Sequence, residues 1–213
     1  MTKKIYLTIA QNTTNEIVIK KSRFICSLSR VKNEAAAKSF IEKIKANHRK
    51  ATHNCFAYQI GDDDHIQRES DNGEPSGTAG VPILEALQLS HIHDVCAVVT
   101  RYFGGIKLGA GGLIRAYSNA TSSAIQQAGI VQRVQQTLLT IEVPYRFHDQ
   151  LLYLLKEKQI EVAKEDYGVN VTTTIFVNDS EVQTVQELLA NHFNNQLTIS
   201  NAGTRFHEIP YQP

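Results

Sequence analysis

Apolar and polar residues alternate at the start of the chain. Ile5, Leu7 and Ile9 alternate with other residues across 4–10, the period of a strand with one buried face. Residues 12–15 are turn-forming. Residues 16–19 and 24–31 read as one long or interrupted strand, with Lys20, Lys21 and Arg23 as a basic patch near its middle. The period then changes. Ala37, Phe40, Ile41 and Ile44 recur at helical spacing within 34–46, and Asn33 is placed to cap that helix. Residues 52–60 return to a strand pattern, 61–64 turn the chain, and 65–69 run back as a short strand.

The rest of the chain is organised around residues 70–117, which hold most of the 12 glycines and two apolar runs, 81–89 and 95–100. Asn72-Gly73, Pro75 and Gly77 form a turn. Ser76 or Thr78 is placed to cap the next helix, with Pro82 in its first turn and Ile83, Leu84, Leu87 and Leu89 on its buried face. Residues 94–100 are almost wholly apolar, which predicts an interior strand. A further helix is expected from near Gly109 to Gly129, through Leu113, Ala116, Tyr117, Ala120 and Ala124. Glycines expose main chain, and unpaired amides at a helix start attract anions.

A short linker at 129–134 leads to a second pattern. A strand within 133–145, a helix at 149–158, strands at 160–167 and 169–177, a helix at 181–192 capped by Asp179 or Ser180, and a strand at 197–209 give β-α-β-β-α-β. That order is the ferredoxin-like arrangement. The expected fold class is therefore α+β with two domains, 1–131 and 135–213.

Charge follows the same division. Residues 1–134 carry 17 Lys and Arg against 11 Asp and Glu, and the remainder carries 5 against 10. The first half is the better candidate for a polyanionic partner. Three cysteines, Cys26, Cys55 and Cys96, without a CxxC favour reduced thiols and a cytoplasmic setting. No apolar run approaches the roughly 20 residues that span a bilayer, and the first residues make a poor signal peptide.

Chemical motifs are sparse. There is no HExxH, GxSxG, P-loop or GxGxxG, and the aspartates at 62–64 lack calcium-loop spacing. They read as a charged hairpin tip. His91 and His93 can share one strand face but lack a further ligand framework. Neither a metal, nor a cofactor, nor a catalytic set is assigned. Two groups of residues are singled out. Lys21, Arg23, Arg101 and Lys107, with the main chain of Gly104, Gly105, Gly109 and Gly111, form a candidate nucleic-acid or anion surface. Thr52, His53, Asp71, Glu74 and Ser76 form a candidate pocket. Phe24, Tyr102 and Phe103 are stacking candidates if exposed.

Several longer motifs carry a resemblance. They are Lys21-Ser-Arg-Phe24, Ala51-Thr-His53 with Cys55, the run from Asp71 through Gly80, Gly80-Val-Pro-Ile-Leu-Glu-Ala-Leu87, and Val98-Val-Thr-Arg-Tyr-Phe-Gly-Gly-Ile-Lys-Leu-Gly109. Together they resemble the IMPACT/YigZ family, and the acidic second half resembles the small C-terminal domain of its bacterial members. The resemblance implies a first domain like domain 2 of ribosomal protein S5 and domain IV of elongation factor G. It implies a second like the ferredoxin-like domains of elongation factor G. It also implies a link to translation or nucleic acid, with no established reaction.

The resulting expectation is a non-catalytic RNA- or ribosome-binding protein, related to translation. The alternatives are an enzyme acting on a phosphorylated or nucleotide-like small molecule, resting on the pocket residues, and a protein-interaction regulator without nucleic-acid contact. The sequence leaves the oligomeric state open.

Overall fold

The computed structural model describes residues 6–61 and 63–211. Lys4 and Ile5 of the expected first strand, and Asp62 of the hairpin tip, lie outside the described residues. Packing divides the chain into two units, residues 6–133 with 209–211, and residues 134–208.

In the first unit, strand β1 (Tyr6–Ile9) pairs antiparallel with the opening residues of β7 (Ile130–Val143), Tyr6 opposite Arg133 and Ile9 opposite Ile130. The main sheet holds β2 (Thr13–Ile19), β3 (Ser22–Arg30), β4 (His53–Ile60), β5 (Ile66–Ser70) and β6 (Val95–Tyr102) in the order β2-β3-β6-β4-β5. All neighbours are antiparallel. Helix α1 (Glu34–Asn47) covers one face, packing Ala37, Ile41 and Ile44 on Tyr58, Ile60, Cys96 and Val98. Helices α2 (Gly80–Leu89) and α3 (Ala110–Ala128) cover the other, where Ile83, Leu87, Ala116 and Ala120 meet Phe24, Cys26, Leu28, Ala97 and Val99. Strand alternation explains the division: Phe24, Cys26 and Leu28 turn one way, and Ser27 and Ser29 the other. The run 95–100 is apolar on both sides because β6 is central and covered on both faces.

Local expectations change: residues 13–15 of the expected turn already belong to β2. The stretch 16–31 is a hairpin, not one strand. Lys20 and Lys21 form its two-residue turn, with φ of 45° and 66°. Positive φ at both central positions is what the right-handed strand twist favours, and Asn-Gly is the usual occupant. Helix α2 is not capped by Ser76 or Thr78. Its capping position is Ala79, and the Asp71 carboxylate from the preceding turn accepts from the amides of Gly77 (2.8 Å), Ala79 (2.9 Å) and Gly80 (2.8 Å). A carboxylate can accept several bonds at once, whereas Thr78 Oγ1 is occupied by the Pro75 carbonyl at 2.6 Å. Asn33 caps α1 as expected, Oδ1 accepting from the Ala36 amide at 2.9 Å.

The second unit continues β7 into α4 (Tyr145–Glu157), β8 (Val162–Tyr167), β9 (Val171–Val177), α5 (Val182–His192) and β10 (Thr198–Pro210). Its strands lie in the order β10-β7-β9-β8, around a core of Leu139, Ile141, Leu151, Leu155, Ile175 and Leu189. Helix α4 starts four residues earlier than the pattern predicts, directly after Pro144, whose fixed φ suits a helix entry. Asp179 does not cap α5. It opens a single 3-10 turn, Asp179–Glu181, and accepts from Thr137 Oγ1 at 2.5 Å. Among the described residues no helix is long and apolar enough to cross a membrane.

Candidate functional site

One end of the five-stranded sheet gathers most of the residues singled out above. Register sets the layout. Arg23 lies opposite Tyr102, and Arg101 lies opposite His53, so the start of β3, the end of β6 and the start of β4 coincide. The Thr52 amide donates to the Arg101 carbonyl at 2.9 Å, and the Phe103 amide donates to Thr52 Oγ1 at 3.2 Å. The Gly104 amide donates to Ser22 Oγ at 3.2 Å. A β-carbon on Gly104 would fall on the Lys21 carbonyl, so only glycine allows the chain leaving β6 to press against the hairpin turn.

Beneath that surface lies a polar cluster between sheet and helices. Arg101 Nη1 donates to Glu74 Oε1 at 2.6 Å, and the two side chains are 6% and 3% exposed. The Tyr117 hydroxyl donates to the same oxygen at 2.8 Å. Burial, followed by the neighbouring Cys55 and Glu74, raises the Tyr117 pKa and keeps this hydroxyl a donor. The Arg101 guanidinium carbon sits 5.4 Å from the Phe24 ring centre and 5.5 Å from that of Phe103. Cys55 Sγ lies 2.8 Å from the Asp71 carbonyl and 3.3 Å from the Tyr117 hydroxyl, and burial pushes its thiol up to about 12. His53 Nδ1 is 3.0 Å from the Asn72 carbonyl, which fixes Nδ1 as the donor and turns Nε2 toward Glu74 Oε2 at 3.8 Å. The cluster locks the turn 71–77 onto β4, β6 and α3.

The candidate surface and candidate pocket thus share one location at two depths. Lys21, Gly105, Lys107, Gly109, Gly111, Thr52 and Ser76 are exposed, while Gly104, His53 and Asp71 are partly covered. Arg101 and Glu74 are buried against each other, so Arg101 meets no outside partner directly. Arg23 is half exposed and held bidentate by Glu16, both bonds 2.8 Å. Of the stacking candidates, Phe24 is fully buried, Tyr102 is half-buried with its hydroxyl 3.0 Å from His48 Nδ1, and Phe103 is exposed. His91 is exposed on a turn and His93 Nδ1 is 2.7 Å from Asp64, so the pair shares no strand face. Among the described residues no group of three or more His, Cys, Asp or Glu is arranged to hold a metal ion.

This geometry falls within a recognised sequence family. The family model described as the Impact N-terminal domain matches residues 20–125, from the hairpin turn into the last turn of α3. A second, described as a domain of unknown function (DUF1949), matches residues 141–196. The IMPACT family member YvyE of Bacillus subtilis is 46% identical over 194 residues, covering 91% of this chain and 89% of the relative. The chain belongs to the IMPACT/YigZ family, of the bacterial two-domain type.

Within the IMPACT/YigZ family, YigZ of Escherichia coli is 35% identical over 183 residues, covering 85% of this chain and 90% of the relative. Protein IMPACT of Danio rerio is 30% identical over 126 residues, covering 57% of this chain and 39% of the relative. A solved structure described as that of an hypothetical protein superposes with a TM-score of 0.59 at 34% identity, covering 92% of this chain and 97% of the other. Sequence reading of this IMPACT/YigZ chain overlooked part of the site. His48, Arg49 and Lys50, at the end of α1, adjoin the same end of the sheet through Thr52 and Tyr102. Their signal was a basic run directly before the Ala51-Thr52-His53 motif. The Tyr117 hydroxyl has no such signal, because nothing local in the helix pattern marks it as a partner of Glu74.

Proposed function

We propose that the basic end of the first unit binds RNA, ribosomal RNA included, through its phosphates. One observation carries this reading. Lys20, Lys21, Arg49, Lys50 and Lys107 are all exposed there, and among the described residues none pairs with a carboxylate. Glu16, Asp71 and Glu74 are already committed to Arg23, to the α2 amides and to Arg101. The cations therefore face outward uncompensated, beside the exposed Phe103 ring and the glycine main chain of 104–111. Phosphates take up such charge, and a base stacks on such a ring.

The turn at Lys20 and Lys21 adds support. Long side chains at positive φ are disfavoured by roughly 1 kcal/mol or more each relative to glycine. Backbone held in such regions tends to cluster at functional sites. The architecture is consistent with a link to translation. We read the first unit as like domain 2 of ribosomal protein S5, and the second as ferredoxin-like from its element order and its strand order β10-β7-β9-β8. The three cysteines are free thiols, which suits a reducing, cytoplasmic setting.

The test is fluorescence anisotropy with single-stranded and structured RNA across a salt series. A variant combining Lys20→Asn, Lys21→Gly, Lys50→Gln and Lys107→Gln is compared with the parent and with a Lys156→Gln, Lys158→Gln control in the second unit. The site variant is expected to bind both RNAs more weakly. Its slope of log K against log salt should fall by about 0.7 to 0.9 for each phosphate that the variant no longer neutralises. Unchanged affinity and slope in a folded site variant refute the assignment.

A further inference from the structure

The α1 side of the main sheet holds a second candidate site. Helix α1 packs on β4 and β6 there, and its edge borders β2 and β3, whose Ser27 is nearly buried while Thr14 is exposed and Ser29 half-buried. Between helix and strands opens a cleft of 380 Å³, within the roughly 300–1,000 Å³ of small-molecule sites. Its lining combines three kinds of chemistry. Phe40, half-buried on α1, supplies an aromatic wall. Thr14, Ser27, Ser29 and Asn12 supply a polar edge. Lys43 supplies one exposed cation, without a carboxylate partner among the described residues, and the lining contains no Asp or Glu.

The polar edge retains hydrogen-bonding capacity. Thr14 Oγ1 and Ser27 Oγ are 3.2 Å apart, so one hydroxyl proton satisfies the other oxygen and the second proton is left to donate. Asn12 Oδ1 is taken by the Arg30 amide at 2.9 Å, which leaves its NH2 group as a donor. Ser29 Oγ makes only a long bond of 3.3 Å to the Arg30 carbonyl. A flat apolar wall, a row of hydroxyl and amide groups and a single ammonium match a base, a ribose and a phosphate in that order.

We propose that this cleft binds one ribonucleotide unit, with the base against Phe40, the ribose hydroxyls toward Thr14, Ser27 and Asn12, and the phosphate at Lys43. The assignment is independent of the phosphate surface at the end of the sheet. That surface gives affinity without regard to sugar or base, whereas a hydroxyl row distinguishes ribose from deoxyribose through the 2′-hydroxyl. The unit has two sources, a free nucleotide or an unpaired residue of an RNA strand, and both present the same groups.

Heteronuclear NMR titration of the full chain separates the outcomes. Adenosine and uridine 5′-monophosphates, their 2′-deoxy counterparts, the unphosphorylated nucleosides and a short single-stranded RNA are added in turn. The ribonucleotides are expected to shift the amides of Thr14, Ser27, Ser29 and Lys43, with the deoxy forms several-fold weaker. Lys43→Ala should abolish the advantage of monophosphate over nucleoside. Phe40→Leu, which keeps apolar bulk against the core, should weaken every ligand while the spectrum stays folded. Tighter saturation of these amides by the strand assigns the source to RNA, and saturation by mononucleotides alone assigns it to free nucleotide. Absence of shifts at these amides with every ligand overturns the proposal. So does equal affinity for ribose and deoxyribose forms. Failure of the phosphate surface reads out separately, as unmoved amides at Lys21, Lys50 and Lys107 on adding RNA.

Discussion

Gly104 rests on the main chain of Lys21, with no room between them for a β-carbon. The contact is backbone on backbone, so no flexible side chain can yield. Gly104→Ala is expected to lower stability by about 1–3 kcal/mol, the usual cost of forcing extra volume into a packed site. Chemical denaturation measures it. The same substitution at Gly105 meets open space, but φ there is 84°, so its cost arises from backbone strain alone.

The buried pair of Arg101 and Glu74 has a sharper signature. Glu74→Gln leaves a guanidinium buried without its counter-charge, and Arg101→Met leaves a buried carboxylate. Each is expected to cost about 3–5 kcal/mol. The combined variant should recover much of that loss, because neither charge remains. Denaturant midpoints of the four proteins form the cycle that measures the coupling. Simple addition of the two single losses would show that the pair acts independently.

Asp71 ties stability to acid. Burial opposes its charge, but the amides of Gly77, Gly80, Ala79 and Thr78 outweigh burial and hold its carboxyl below the ordinary value of 3.8. The folded pKa is depressed, so the stabilisation is present above the ordinary value and is lost as pH falls through the folded one. Asp71→Asn should be less stable at neutral pH by about 1 kcal/mol, as for loss of a helix cap. Its acid limb should also be flatter than that of the parent. Parallel limbs in the two proteins would remove Asp71 from the explanation.

The thiols offer a probe of opening. Burial pushes Cys26 and Cys55 up to about 12 and raises Cys96 as well. At mildly alkaline pH the native chain is expected to react with a disulfide reagent only as fast as it unfolds. Adding denaturant should accelerate the reaction in step with the loss of structure. Rapid labelling of any one cysteine in the native state would show a local opening around it.

The sequence made most elements legible because their periods are strong. Helix α3 lies between Gly109 and Gly129, both at positive φ, and the central strand β6 betrays itself by apolar residues on both faces. The turn at Lys20 and Lys21 was hidden because lysine is an uncommon occupant of that geometry, so the pattern ran through it as one strand. The α2 cap was misplaced for a related reason. Ser76 and Thr78 stand at the right spacing, yet the acceptor comes from Asp71 across a loop. At the site, spacing identified Arg101 and Glu74 but not their depth. Burial of a charge depends on which strand lies in the middle of the sheet, and that is decided by residues far apart in the chain.

The strand order β2-β3-β6-β4-β5 also bears on the nascent chain. Two hairpins, β2–β3 and β4–β5, are synthesised first, and β6 then enters between them. Until residues 95–102 emerge, each hairpin presents an unpaired inner edge, and Arg101 has not yet reached Glu74. Such edges recruit other strands, and non-local pairings of this kind form slowly. The first unit is therefore at its most vulnerable while its own ribosome is still translating the middle of the message.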